Sequence, residues 1–494
     1  MTERNYKQGI HREQGYLLPP RVEDYVSDDN PVRAIDSYVE SLELAKLRFT
    51  NSDNVMTPGQ PAYPPQYLLK LYLYGYLHRV RSSRRLEAEC QRNLEVIWLM
   101  GGLRPGYKTI ADFRKNNLNA LKQVNQDFVQ VCKELDLFGK ELVGIDGSFF
   151  RGNVNKDRIY TAERLHGVLK HIEQDIAHYL ADLEQADLKE GSSEQHDPEL
   201  SKKLEQLRSL QQKRKGQLEQ LESSGDKQIA EVDEDARLLN KRQGTVAGYN
   251  VQTVVDNKHK LLVTGEVTQD NNDEHQLGPM AQAAKAVLGV EKLTAVADKG
   301  YFSGQQIRSC EQNGITPYVP EPDKKYQAKR EARLPREDFI YYPVANCYRC
   351  PAGQELPLSS SKLDGGITRW AYRSSVSVCA VCPLKEQCLP KKTRRRMISR
   401  SEHETLIEAH RVRMASEEAK MMRLRSALCE HPFGTLKQWC GWTHFLLRGL
   451  EKVRAEFGLL MLSYNFKRVL SIIGLSAFRE YCLMRRINQP LASV

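Results

Sequence analysis

Apolar positions fall into successive regimes along the chain. From Pro64 to Leu137 they recur at helical spacing. Leu68, Leu69, Tyr72, Leu73 and Tyr76 share one helix face, the serines of "RSSRRLEAECQRN" stand where a second helix needs caps, and Thr109 with Asp112 has capping-box spacing. The pattern predicts a compact all-helical domain over residues 1–138, its polar, proline-punctuated lead-in carrying one short helix near "PVRAIDSYVESLEL". A helix-turn-helix DNA reader and an ordinary small bundle share this pattern.

At "LVGIDGSFFRGN" the period changes to that of a strand, with Val143 and Ile145 suited to a pleated, buried surface. Helical periodicity then returns. Leu165, Val168, Leu169, Ile172, Ile176, Tyr179, Leu180 and Leu183 form one stripe, and Leu204, Leu207, Leu210, Leu218 and Leu221 a second. The polar break "GSSEQHDP" between them predicts an antiparallel helical hairpin inserted over 161–240.

Strands resume in "GYNVQTVVD" and "LLVTGEVT", followed by the helix "DEHQLGPMAQAAKAVLG", the strand "KLTAVADKGYFS" and the strand "ITPYVP". Three strands, a helix and a fourth strand make the order of a ribonuclease-H-like mixed α/β sheet, in which the first and fourth strands are neighbours. The core is expected over 139–160, 241–325 and 401–475, with a cysteine-rich insertion at 326–400 and a C-terminal tail at 476–494.

Both the first and the fourth strand run into an aspartate, Asp146 and Asp298. If these strands are parallel neighbours, the two carboxylates emerge side by side at the carboxyl edge of the sheet. Taken alone, either aspartate also fits a turn or a helix cap. Two close carboxylates repel unless a cation lies between them, and Mg²⁺ (or Mn²⁺), a hard ion served by one or two carboxylates, fits that need. A third carboxylate is sought downstream in "RLRSALCEHPFGTLKQW". There Glu430 and Lys437 return to nearly one face of an uninterrupted helix, although Pro432 predicts a kink or a fresh helix start between them.

Composition narrows the class. With 28% charged and 40% hydrophobic residues the chain is that of an ordinary soluble globular protein, and its 494 residues exceed one domain. No signal-type segment opens it and no apolar run could span a bilayer, so a cytoplasmic, nucleoid-associated protein without membrane contact is expected. A net charge of +10 favours a polyanionic partner, and the charge is clustered around Arg79, Arg81, Arg84 and Arg85 and again in "KKTRRRMISR", Lys391 to Arg396.

Read together, "YLYGYLHRVRSSRRLE", "KTIADFRK", "GIDGSFFRGN", "GYNVQTVVD", "ADKGYFS" and "EHPFGTLKQW" with its following "FLLRGLEKVRAEFGLLMLSYNFKR" resemble the DDE transposases of bacterial insertion sequences over nearly the whole chain. The resemblance implies an acidic, Mg²⁺-binding catalytic triad of Asp146, Asp298 and Glu430, with Arg425 and Lys437 beside DNA phosphates. One departure is Met422, where relatives often carry tyrosine. It also implies a reaction: metal-bound water cuts at each transposon end, and the freed 3′-OH attacks target DNA. The expected partner is double-stranded DNA, met by a homodimer assembled on two ends. Further DNA contacts are expected from Arg81, Arg84, Arg85, Lys108, Arg114, Arg394, Arg395 and Arg396. A DNA-binding regulator without catalysis, and a metal-dependent nuclease without strand transfer, are the competing readings.

Five of the 11 cysteines crowd together. Cys347 and Cys350 form one CxxC pair, Cys379 and Cys382 another, and Cys388 follows. That spacing predicts a zinc site within the insertion, with free thiols or an iron–sulfur cluster as alternatives.

Overall fold

The computed structural model describes residues 21–50, 61–189, 198–241, 244–322, 334–364, 366–389 and 393–488. Lys391 and Lys392 therefore lie outside the described residues. The chain divides into two compact units, Met1–Cys132 with Arg454–Val494, and Lys133–Val453. Among the described residues no helix is long and apolar enough to cross a membrane.

The first unit is all-helical, and its core is aromatic. Tyr38 meets Phe128 edge-on at 5.1 Å and Phe466 at 6.0 Å, while Phe466 stands 5.4 Å from Phe478. Tyr72 stacks on Phe113, which stacks on Phe49. Asp127 pairs with Arg485. Residues beyond Arg454, read from sequence as the end of the sheet domain and a tail, thus fold with the N-terminal helices. Their periodicity showed an apolar face but not which partner covers it.

The second unit is built on a mixed sheet. In chain order its strands are β1 (Leu142–Arg151), β2 (Arg237–Lys241), β3 (Gly244–Asp256), β4 (Leu262–Thr268), β5 (Leu293–Val296) and β6 (Ile315–Tyr318). Their spatial order is β2-β3-β1-β5-β6, with β4 also paired to β3. β1 runs antiparallel to β3 and parallel to β5, and β5 parallel to β6. The first strand and the strand ending before Asp298 are therefore neighbours, as the order of elements required. One boundary differs: Arg237 to Asn240, assigned from sequence to the helical insertion, form with Lys241 a strand that pairs with Gly244–Gly248 as part of this sheet.

Between β1 and β2 the helices Ala162–Lys189 and Pro198–Ser224 pack side by side. Leu165, Leu169, Ile172 and Leu221 are buried, whereas Leu180 farther along is exposed. Among the described side chains the stripe is covered at its base, around Tyr160, Leu165 and Leu221.

After β6 comes a separate five-stranded sheet. Its strands, β7 (Ile340–Tyr342), β8 (Cys347–Arg349), β9 (Glu355–Asp364), β10 (Ile367–Arg373) and β11 (Met397–Ser401), lie in sequential order. Phe339, Tyr348, Leu356, Tyr372 and Ile398 form its core. A small hydrophobic core, which the cysteine spacing had masked, thus supports the region expected to be a metal-stapled insertion. The helix Glu404–Gly434 follows and lies against the main sheet.

Candidate functional site

The register of the main sheet sets the two aspartates side by side. The last paired residues of β1 and β5 at this end are Gly144 and Val296, and Asp146 and Asp298 each stand two residues beyond them. Asp146, read from sequence as the end of its strand, lies within β1, which runs on to Arg151 against β3, whereas Asp298 opens a turn. Asp146 Oδ1 accepts from the Gly147 N–H at 3.0 Å, and Asp298 Oδ1 accepts from the Gly300 N–H at 2.7 Å, capping the turn Lys299–Tyr301. At Asp298 the Asx turn and the convergence of the two carboxylates therefore coexist.

What joins the two carboxylates is a guanidinium. Arg425 Nη2 donates to Asp146 Oδ1 at 2.7 Å and lies 3.7 Å from Asp298 Oδ2. Arg425 is carried by the helix Glu404–Gly434, which approaches β1 closely because Gly144 has no side chain. A Cβ there would lie 2.7 Å from Cys429 Sγ and 3.2 Å from Leu428 Cβ. Val296, Tyr318, Met414, Met421, Leu428 and Cys429 seal this contact, with Met422 packed against them. Met422, at the family's tyrosine position, is thus a packing residue.

Burial pushes the Asp146 carboxyl up to about 6; Arg425 pulls it down and the Asp298 charge raises it further. Burial likewise pushes the Cys429 thiol up, with Asp146 adding to the effect, so this cysteine is an inert packing group rather than a thiolate.

Glu430 does not join the pair. It is exposed and accepts a hydrogen bond from Ser426 Oγ at 2.6 Å. Lys437 faces elsewhere, donating to Ser148 Oγ and, at 2.8 Å, to Phe149 O, with its ammonium 4.4 Å from the Phe150 ring centre. The shared-face expectation for Glu430 and Lys437 fails for a specific reason. The helix runs through Pro432 to Gly434 without the expected fresh start, then widens into a π turn at Thr435–Trp439 closed by Cys440 N–H to Thr435 O. A wider turn changes the angular step per residue, so Lys437 is rotated from the position an unbroken α-helix would give it. Trp442 is buried; the Trp439 side chain lies outside the described residues.

A carboxylate that sequence reasoning missed stands behind β1. Asp273 Oδ1 accepts from Asn250 Nδ2 at 2.8 Å and from Gln252 Nε2 at 2.6 Å, and Gln252 in turn accepts from the Tyr301 hydroxyl. Asn250, Gln252 and Tyr301 are fully buried. Burial raises the Tyr301 hydroxyl well above its ordinary range, with Asp273, Asp146 and Asp298 adding to it. The available signal was polar residues, Asn250 and Gln252, inside an otherwise apolar strand.

This network explains the glycine after Asp146. A Cβ on Gly147 would lie 2.5 Å from Gln252 Nε2, 2.7 Å from Asp273 Oδ1 and 3.1 Å from the Tyr301 oxygen. None of these atoms is the free end of a flexible chain. Gly147→Ala is therefore expected to lower the unfolding free energy by about 1–3 kcal/mol, read from urea midpoints, and an unchanged midpoint would show the network to be yielding.

The structure divides the other residues singled out for DNA contact. Arg84, Arg85, Lys108, Arg394 and Arg395 are exposed, Arg84 lying over the Tyr107 ring. Arg114 is 5% exposed, beneath Tyr72 and bonded to the Tyr76 hydroxyl, and Arg81 lies 3.8 Å from the buried Glu456. Arg396 donates to Cys388 O and Leu334 O and covers the Phe339 ring. In this fold Arg81, Arg114 and Arg396 are structural cations, because short helices and a small sheet need buried polar links that sequence position does not reveal.

All 11 cysteines are free. Among the described residues no group of three or more His, Cys, Asp or Glu side chains is arranged to hold a metal ion, at the cysteines or at the acidic edge. The zinc expectation therefore has no support. Cys347 is buried on β8, Cys350 accepts from the Gln354 N–H, and Cys379 contacts the Ser374 hydroxyl. Burial raises the Cys388 thiol against the pull of Arg396, and Cys379, Cys350 and Cys382 add to that rise, so these three lie within electrostatic reach of Cys388.

Two family models match the chain. Residues 349–470 match the transposase DDE domain, and residues 20–116 match a transposase domain, DUF772. The first match includes Arg425, Glu430 and Lys437 but stops short of Asp146 and Asp298. Together they mark two parts of the chain as similar to transposase domains. No curated protein matches the chain. Among solved structures, the cryo-EM structure of the piggyBac transposase synaptic complex with hairpin DNA is similar at 10% identity, over 94% of this chain and 83% of that one. Its TM-score of 0.33 is too low to bear on fold or site.

Proposed function

We propose that the chain is the transposase of an insertion sequence, with a ribonuclease-H-like catalytic core that cuts DNA at the element's ends and joins the freed 3′-OH to target DNA. The observation that carries this reading is the convergence of Asp146 and Asp298, from adjacent parallel strands, on one positive centre. A sheet edge that gathers two carboxylates around a cation suits a divalent ion, since Mg²⁺ takes hard oxygen donors and commonly only one or two carboxylates. Asp146 and Asp298 would hold it, and such an ion, when bound, activates the attacking oxygen and offsets charge on the phosphate. Glu430 is the proposed third carboxylate; to reach the edge it must leave Ser426.

The chain's own groups have distinct tasks in this reading. Arg425 sits where the charge of a scissile phosphate would need an opposite charge. Lys437, fixed on β1 by Ser148 and Phe149, places a second cation along the same strand. The exposed Arg84, Arg85, Lys108, Arg394 and Arg395 are proposed phosphate contacts, and the partly uncovered helical hairpin a dimerisation arm on paired ends.

The test is incubation of labelled duplex carrying the element's own ends with Mg²⁺ or EDTA. Nicks with 3′-OH at the ends, followed by joined product, are expected with Mg²⁺ alone. Firm end binding without cleavage under any divalent metal would instead favour a DNA-binding regulator. Cleavage without joining would favour a nuclease.

A further inference from the structure

A cleft of about 580 Å³ opens at the far end of β1 from Gly144, lined by Arg151, Asn153, Asn155, Arg158, His444 and Arg448 among others, with no acidic side chain in its walls. Three loops are laced together to form it. Arg151 N–H donates to Thr443 O and Arg151 O accepts from Phe445 N–H, Asn153 Nδ2 donates to Leu446 O, and Glu231 N–H donates to Arg158 O. Carboxylates next to the lining residues in sequence have other partners, Asp157 lying 3.6 Å from Arg164 and Glu231 pairing with Arg214. Asp233 accepts from the Tyr249 hydroxyl and the Gly449 N–H, and Asp235 from the Leu450 N–H. Arg151, Arg158 and Arg448 are exposed, and among the described residues their guanidinium groups make no hydrogen bond or ion pair.

Three guanidinium groups around one concave surface with no carboxylate in its walls favour an anion there, and their planar forks match phosphate oxygens. We propose that this cleft binds the phosphodiester backbone of duplex DNA, as a subsite flanking the cleavage position. The inference rests on the transposase reading and extends it to residues outside the acidic edge. Arg151 is five residues past Asp146 on β1. At roughly 3.4 Å per residue that is about 17 Å, or about five nucleotide steps of a duplex laid along the strand. Lys437, held against Ser148 and Phe149, lies between the two.

The test is the salt dependence of binding to a short duplex of arbitrary sequence, between about 50 and 200 mM salt. Relative to wild type, R151A/R158A/R448A is expected to reduce the slope of log K against log salt by about 2–3, since each lost phosphate contact removes about 0.9. R151K/R158K/R448K, which keeps the charges, is expected to restore most of the slope. K202A/K203A/R208A removes the same charge from exposed positions on the helical hairpin and is expected to leave the slope near wild type. An unchanged slope in the alanine variant, or an equal fall in the hairpin variant, would overturn the cleft assignment while leaving the transposase reading in place. Failure of the wild-type chain to bind duplex DNA at all would remove both.

Discussion

Asp146→Asn and Asp298→Asn are each expected to lower Mg²⁺-dependent end cleavage on the order of 1000-fold or more, while binding to the same ends stays within a few-fold of wild type. Each substitution keeps the shape and the local hydrogen bond, because an amide oxygen can still accept from Gly147 or Gly300, but removes the charge facing Arg425. Glu430→Gln separates two accounts of the site. A loss of similar size would mean that Glu430 leaves Ser426 and completes the edge when DNA and metal are present. A loss below about tenfold would mean that two aspartates suffice, within the one or two carboxylates that Mg²⁺ commonly takes. Single-turnover cleavage of labelled ends, paired with gel-shift binding, reads both quantities.

Arg425→Ala is expected to destabilise the protein by about 2–3 kcal/mol at pH 8 and by about 1 kcal/mol or less at pH 5. In the wild-type fold Asp146 titrates at about 6 against an ordinary 3.8. Between those values the folded chain holds a proton that the unfolded chain has released, so this group's contribution to stability falls as pH rises through that window and is fully lost above it. Removing Arg425 takes away the charge that pulls the Asp146 carboxyl down, so the falling window extends to higher pH. The penalty therefore grows from pH 5 to pH 8. Urea denaturation at the two pH values measures it, and an equal penalty at both would show that Arg425 acts through packing rather than charge.

Much of the acidic edge was legible before any coordinates. Alternation in "LVGIDGSFF" and "GYNVQTVVD" and the short apolar run "KLTAVA" marked strands, and their order in the chain made the first and fourth neighbours. Because a strand's side chains repeat every two residues, fixing that pairing also fixed which aspartates would meet. Glu430 was less legible, since its direction depends on a helix that passes through a proline and then widens at Thr435–Trp439. Asp273 gave no motif at all; it is held beside Gly147 of β1 by Asn250 and Gln252 of β3.

The sequence by itself determined the elements that local patterning encodes: the helical run after Pro64, the helical hairpin and most strands of the main sheet. Period and capping are short-range properties, so they survive in a bare sequence. Only the tertiary structure decided which faces meet. It placed Phe466 and Phe478 on Tyr38 and Phe128, buried Arg114 under Tyr72, gave the cysteine-rich segment a core of its own, and put Arg425 between Asp146 and Asp298. An apolar stripe or a cation specifies that it needs a partner, and long-range packing and charge neutralisation decide which one it receives.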